Sequence, residues 1–455
     1  MRKLVLIGLA QALLLLAGCG GGSGSVATST SNNGSGNGNG NGGGQASNAV
    51  TMTVDDGPDP QAGYDVDTPF ITVTVCAPGS TTNCQVINHV EVDTGSFGLR
   101  IISSVLNVNP TLASALPSEV SGASGNPIVE CTQFADGFSW GPVKTASVQV
   151  GGESASNVPV QIMGDPSFEN EIPTACSSTG TEEDNLATFG ANAILGIGPF
   201  SDDCGGGCSN SAANGWYYAC PANGSSTTDC TGVAVAERQQ VTNPVALFQT
   251  DNNGEVIQMP TVAEGATTAT GTLIFGIGTE SNNSVSAKTI LTANTSYGDV
   301  STSYTTQGGQ QQFLPYSYFD TGSNAYYFAD DSIPSKQSCS SFPGYNSQQP
   351  DSWFCPGSEL NLSATNTGQN GTQSTVTFSV GNAYTLFNTQ QSGTVFNDIG
   401  ASSGSQLSAC TAQSSAAANV GCAFDFGFPF FLGRTVYIAY AGAVTAWGNG
   451  PYYGY

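Results

Sequence analysis

Apolar and polar residues alternate in short runs along most of the chain. Ile71, Val73 and Val75 form one run. Val90 and Val92, Val148 and Val150, Val158, Val160 and Ile162, and Val376, Phe378 and Val380 form others. A period of two puts one side of each segment into a core and the other toward solvent, which predicts β-strands. Gly, Asn and Ser fill the intervals, so the pattern describes many short strands joined by turns, an all-β class. Helical spacing is sparse. The clearest short helix is NPVALFQT, residues 243–250, with Asn243 as N-cap and Pro244 at the first position.

One stretch breaks the alternation. Arg2 and Lys3 precede a continuous apolar run from Leu4 to Leu16, too short and wrongly flanked for a membrane span but suited to a secretory signal. It ends in Leu16-Ala17-Gly18-Cys19, which resembles the bacterial lipobox and implies that Cys19 is acylated and becomes the first mature residue. Gly20 rather than Asp follows, so the expected address is the outer membrane, with residues 1–18 removed as a lipoprotein signal. The 19–48 segment is almost wholly Gly, Ser, Asn, Thr and Ala. Such a coil holds the folded part roughly 30 Å from the lipid.

Charge narrows the function classes. There are 8 Lys+Arg against 33 Asp+Glu, and no basic stripe exists to displace counterions from phosphates, so nucleic acid is excluded as a partner. The only histidine is His89, so any Ser-His-Asp or Cys-His mechanism would have to use it, and no multi-histidine metal site can form. Its place in the strand leading to Asp93 reads as surface or cleft rim. Only 9% of residues are charged and 39% are hydrophobic, enough for a packed core.

Leaving Cys19 aside, twelve cysteines remain, an even number that in an exported chain reads as disulfides rather than metal ligands. Cys76 with Cys84, Cys339 with Cys355 and Cys410 with Cys422 would close small loops, and Cys131 with Cys176 a longer one. Cys204, Cys208, Cys220 and Cys230 allow three pairings, or less readily a zinc site.

Two segments read alike. HVEVDTGSFGLRI contains Asp93, Thr94, Gly95 and Ser96; YSYFDTGSNAYYF contains Asp320, Thr321, Gly322 and Ser323. Each follows a strand-like run, and each is followed at a similar distance by an apolar stretch ending in glycine, Ala193–Gly198 in the first case and Phe431-Leu432-Gly433 in the second. The repeat predicts two lobes of one architecture. The chain here resembles the pepsin-type aspartic proteases, in which each lobe contributes one Asp-Thr-Gly loop backed by an apolar-apolar-Gly segment. Thr272–Gly276 is similar to the strand closing the first lobe, and residues 431–440 to the segment ending the second. More narrowly, the chain is similar to a bacterial family of aspartic-protease-like lipoproteins, from which no activity follows.

The resemblance implies a bilobal all-β fold with a cleft between an N-terminal lobe, 49–280, and a C-terminal lobe, 281–455. It also implies an aspartic endopeptidase acting on peptide or protein substrates, with Asp93 and Asp320 as the catalytic pair and no metal or cofactor. Two carboxylates about 3 Å apart cannot both ionise, so the pair shares a proton and supplies both base and acid. By the same resemblance Thr94 and Thr321 interlock the loops, Gly95 and Gly322 permit the turns, and Ser96 and Ser323 bond the outer carboxylate oxygens. A hairpin over residues 130–140, with Asp136-Gly137 at its tip, stands where the family carries a tyrosine flap. No tyrosine lies between Tyr64 and Tyr217; Phe134, Phe138 or Trp140 could cover the cleft instead or be ordinary strand aromatics. The alternative function is a catalytically silent pepsin-fold binding lipoprotein. Gly400–Gly404 matches a hydrolase-elbow pattern but is expected to be a loop, and Tyr452, Tyr453 and Tyr455 form a tail that docks or stays loose.

Overall fold

The structure, a computed structural model, describes residues 47–59, 66–135, 137–347, 352–404, 410 and 420–455. The signal segment, Cys19, nearly all of the linker and Asp136 lie outside the described residues.

Alternation becomes burial as the period of two requires. In Pro69–Cys76, Ile71, Val73 and Val75 face the core while Thr72 is exposed. The described residues form a large sixteen-stranded sheet, a seven-stranded sheet and one two-stranded ribbon. In the large sheet, Ile128–Gln133, Gly137–Val150, Glu153–Met163, Phe97–Ile102, Ala193–Ile197, Cys84–Asp93 and Pro69–Cys76 lie side by side in that order and build the first lobe. The seven-stranded sheet spans 300–426 and builds the second, around an aromatic core in which Phe328 and Phe424 stack at 4.7 Å and Phe424 and Phe426 at 4.2 Å.

Between them runs an antiparallel six-strand array: Ala49–Val54, Ala269–Phe275, Gly254–Gln258, Thr435–Ala439, Tyr452–Gly454 and Ile290–Thr292. Gly254–Gln258 pairs with Thr435–Ala439 across the seam, so backbone hydrogen bonds fix one lobe to the other. The C-terminal tyrosines dock: Tyr452 and Tyr453 are buried in the array, and the Tyr453 hydroxyl donates to the Gly298 carbonyl at 2.9 Å. This is the bilobal, pepsin-like, all-β fold.

The expected helix is a single 3₁₀ turn, Pro244–Leu247, capped by Asn243, whose Oδ1 accepts from the Val245 N–H at 3.0 Å; it stops where Phe248 turns extended and buries its ring. Gly400–Ser402 is a short strand beside Tyr326–Phe328, not a loop. All twelve cysteines after Cys19 are paired. The four short or long pairs form as spaced, and the open set resolves to Cys204–Cys208 and Cys220–Cys230, which leaves none of those four thiolates for zinc.

Candidate active site

Each Asp-Thr-Gly-Ser loop joins two strands that are separated by a third. Val90–Asp93 runs parallel to Ala193–Gly196, while Phe97–Ile101 runs antiparallel to the same strand on its other side. In the second lobe, Tyr318–Phe319 runs parallel and Tyr326–Tyr327 antiparallel to Asp425–Phe426. The threading segment of the second lobe is therefore Asp425-Phe426-Gly427, not Phe431-Leu432-Gly433. The glycines explain the requirement. A β-carbon on Gly196 would strike the Ser96 and Phe97 backbone, and one on Gly427 would strike the Ser323 and Ala325 carbonyls, whereas Gly433 faces only Thr261. Close approach of strand to loop excludes any side chain at Gly196 and Gly427.

The loops meet at their tips in a reciprocal lock. The Thr94 N–H donates to Thr321 Oγ1 at 3.1 Å, and the Thr321 N–H to Thr94 Oγ1 at 3.0 Å. Each hydroxyl then donates onward across the interface, Thr94 to the Phe319 carbonyl at 2.8 Å and Thr321 to that of Val92 at 2.6 Å. Every polar group of the two threonine hydroxyls is thus used in a fully buried setting.

Asp93 and Asp320 are buried at the centre of this lock. Asp93 Oδ1 accepts from the N–H groups of Gly95 at 2.7 Å and Ser96 at 3.2 Å, and the Ser96 hydroxyl donates to Oδ2. Asp320 Oδ1 accepts from the Gly322 N–H at 2.8 Å, and Oδ2 from the Ser323 hydroxyl at 2.9 Å. The two carboxyls approach closely, each standing against the glycine of the other loop. Burial first, then repulsion from Asp93 and Asp425, pushes the Asp320 carboxyl well above the ordinary range, against the Gly322 N–H that favours its ionised form. The structure thus brings together all eight residues of the two motifs.

The hairpin behaves otherwise. Ile128–Gln133 pairs with Gly137–Val150 up to Gln133 opposite Phe138. Phe134 packs with Phe70, Ile102, Met163 and Phe189, while Phe138 and Trp140 pack with Phe168 and Tyr218. Trp140 Nε1 donates to the Phe168 carbonyl at 3.0 Å. All three aromatics are buried in these local clusters, Phe138 and Trp140 from the Gly137–Val150 strand and Phe134 from just beyond Ile128–Gln133.

Both edges of the hairpin are covered. Tyr217–Ala219 pairs with Ile128–Glu130, Thr181–Glu182 pairs with Gly137–Phe138, and Cys131 is bonded to Cys176. A buried ion cluster ties its base to the first loop. Arg100 donates to the Phe97 carbonyl at 2.6 Å, Thr132 Oγ1 at 2.7 Å, Glu130 Oε1 at 2.7 Å and Asp203 Oδ1 at 2.9 Å, and the Tyr217 hydroxyl donates to Asp203 Oδ2 at 2.5 Å. Burial opposes the Arg100 charge, but Glu130 and Asp203 outweigh it and hold the guanidinium protonated.

Arg100 and Asp425 escaped the motif reading. Their signal was a charge inside an apolar run, FGLRII and CAFDFGF, where an unpaired charge is rarely buried. His89 lies 3.3 Å from Asp55 through Nε2 and edge-on to Phe70, a partly exposed pair outside the dyad.

A family model described as "Protein of unknown function (DUF3443)" matches residues 44–455. Among solved structures, the aspartic proteinase from Irpex lacteus is similar at 15% identity, with 88% of this chain and 99% of that chain covered and a TM-score of 0.42. No curated protein matches.

Proposed function

The chain belongs to the DUF3443 family, and we propose that it is an aspartic endopeptidase of the bacterial envelope, exported as a lipoprotein and anchored through acylated Cys19. The observation that supports the reading is the reciprocal lock, which holds two identical Asp-Thr-Gly-Ser loops face to face with each glycine against the other loop's acid. Asp320, crowded by two other carboxyls, holds the shared proton, and Asp93 is the base. Asp93 takes a proton from a water held between the pair as the water oxygen attacks the peptide carbonyl. Asp320 gives its proton to the carbonyl oxygen, forming a neutral tetrahedral diol. Asp93 then passes its proton to the departing amine nitrogen while Asp320 recovers one from the collapsing hydroxyl, leaving acid and amine products.

The test is Asp93→Asn and Asp320→Asn, made separately and assayed on a mixed peptide library from pH 3 to 8. Each substitution should abolish cleavage with the fold intact, because the pair acts as a unit. Cleavage that survives either change would rule the mechanism out. A second reading, a pepsin-fold lipoprotein that binds a peptide without turnover, is favoured by the covering of both hairpin edges, which restrains the element that would open over a substrate. A folded wild type inert at every pH would support it.

A further inference from the structure

The two threading strands beside the dyad differ in that only the second carries an acid. Gly196 aligns with Gly427 through their shared place against the loops, so Ile194 in the first threading strand matches Asp425 in the second. Ile194 fills an apolar cluster, as the middle of a buried strand should. Asp425 is flanked by Phe424 and Phe426, whose rings enter the aromatic core, so alternation turns its carboxyl to the opposite face. On that face it stands opposite Tyr318 and Tyr327 in register. It is only 4% exposed, and its Oδ1 has no hydrogen-bond partner among the described residues.

Ser323 has a single hydroxyl proton, and it is given to Asp320 Oδ2 at 2.9 Å. With that proton given to Asp320, Asp425 keeps a buried oxygen without a donor, and a buried carboxyl lacking donors and cations is favoured as the neutral acid. Tyr318 and Tyr327 face Asp425 in register, Asp93 and Asp320 act on it by charge, and the two strands paired with it, Gln311–Phe319 and Tyr326–Phe328, carry no Lys or Arg.

We propose that Asp425 is a third member of the acid cluster: a neutral carboxylic acid on the strand next to the Asp320 loop that keeps a proton in the dyad. The proposal rests on the endopeptidase reading for its catalytic meaning but not for its test. Burial, first, and the Asp93 charge raise the Asp425 carboxyl, while the Ser323 bond opposes them, which agrees with a protonated residue. Three coupled acids release their protons as a unit, and the last proton leaves a more negative cluster than a pair would be.

The experiment is a carbon-13 carboxyl NMR titration of the mature chain, with Asp93, Asp320 and Asp425 assigned from their Asn variants. In the wild type, two of the three carboxyls should stay protonated above the ordinary range. In Asp425→Asn the midpoint of the last proton should fall by about one to two pH units. Asp425→Ile, which carries the residue of the matching first-lobe position, gives the same readout if the Asn variant folds poorly. A last midpoint unchanged in both variants, or an Asp425 that titrates with ordinary carboxylates, would overturn the proposal. Absence of peptide cleavage would sink the endopeptidase reading alone, since the titration needs no turnover.

Discussion

Gly95 stands directly against the carboxyl of Asp320: a β-carbon built on it would lie 2.5 Å from Oδ2. Gly322 returns the relationship, with its β-carbon position 2.7 Å from Asp93 Oδ1. Each loop therefore makes room for the other loop's acid, and the requirement is independent of turn formation. Gly95→Ala is expected to push Asp320 off its Gly322 and Ser323 donors. It should cost about 1–3 kcal/mol by urea denaturation, the range for overpacking a filled site, and remove any dyad-dependent cleavage.

Thr94→Ala and Thr321→Ala test the lock. Each removes the hydroxyl that accepts from the opposite N–H and donates to an opposite carbonyl, leaving two buried backbone groups unpaired. Each single change is expected to cost about 1–3 kcal/mol. The double variant should lose less than the sum, because both hydroxyls serve one interface. Strictly additive losses in a double-mutant cycle would contradict that.

What was legible in the sequence was what four-residue chemistry enforces. Asp93 to Ser96 and Asp320 to Ser323 read alike because both loops need a short acceptor, an interlocking hydroxyl and a glycine without a β-carbon. The threading strand of the second lobe was not legible. FDFGFPFFLG offers two apolar-Gly pairs, Phe426-Gly427 and Leu432-Gly433, and only strand register separates them. The hairpin aromatics were ambiguous because both faces and both edges of that hairpin are covered, so alternation no longer marks an outward side. Partners distant in sequence, such as Arg100 with Asp203, leave no local trace beyond a charge in an apolar run.

Stability should fall as pH rises from 5 to 8. Burial pushes the Asp299 carboxyl up to about 7 from an ordinary 3.8, partly offset by a backbone hydrogen bond. Burial and then Asp398 push Glu264 up to about 7. A carboxyl whose folded pKa lies above its unfolded value binds its proton more tightly when folded. The stability it contributes is complete below the unfolded pKa and is lost as pH rises through the folded one. Asp320 acts in the same direction. The urea midpoint should therefore decrease across this window, and Asp299→Asn, fixed in the neutral form, should flatten the decrease. A midpoint that rises with pH would refute the assignment.

The hairpin gives the last test, because its restraint is built from parts that can be removed separately. Cys131 lies on its first strand and Cys176 in the short helix Thr174–Ser177, and their bond closes a separation of 45 residues. Chain entropy for a loop of that size gives ~4 kcal/mol of stabilisation. Replacing both cysteines by alanine should lower the urea midpoint accordingly. The loss should be local as well as global, since Tyr217–Ala219 and Thr181–Glu182 still pair with the hairpin but no covalent tie holds them in place. Hydrogen exchange should accelerate in Ile128–Gln133 while the Ala269–Phe275 strand, held on both sides in the central array, keeps its protection relative to global unfolding. Equal acceleration in both strands would mean that the bond stabilises the whole fold without restraining the hairpin in particular.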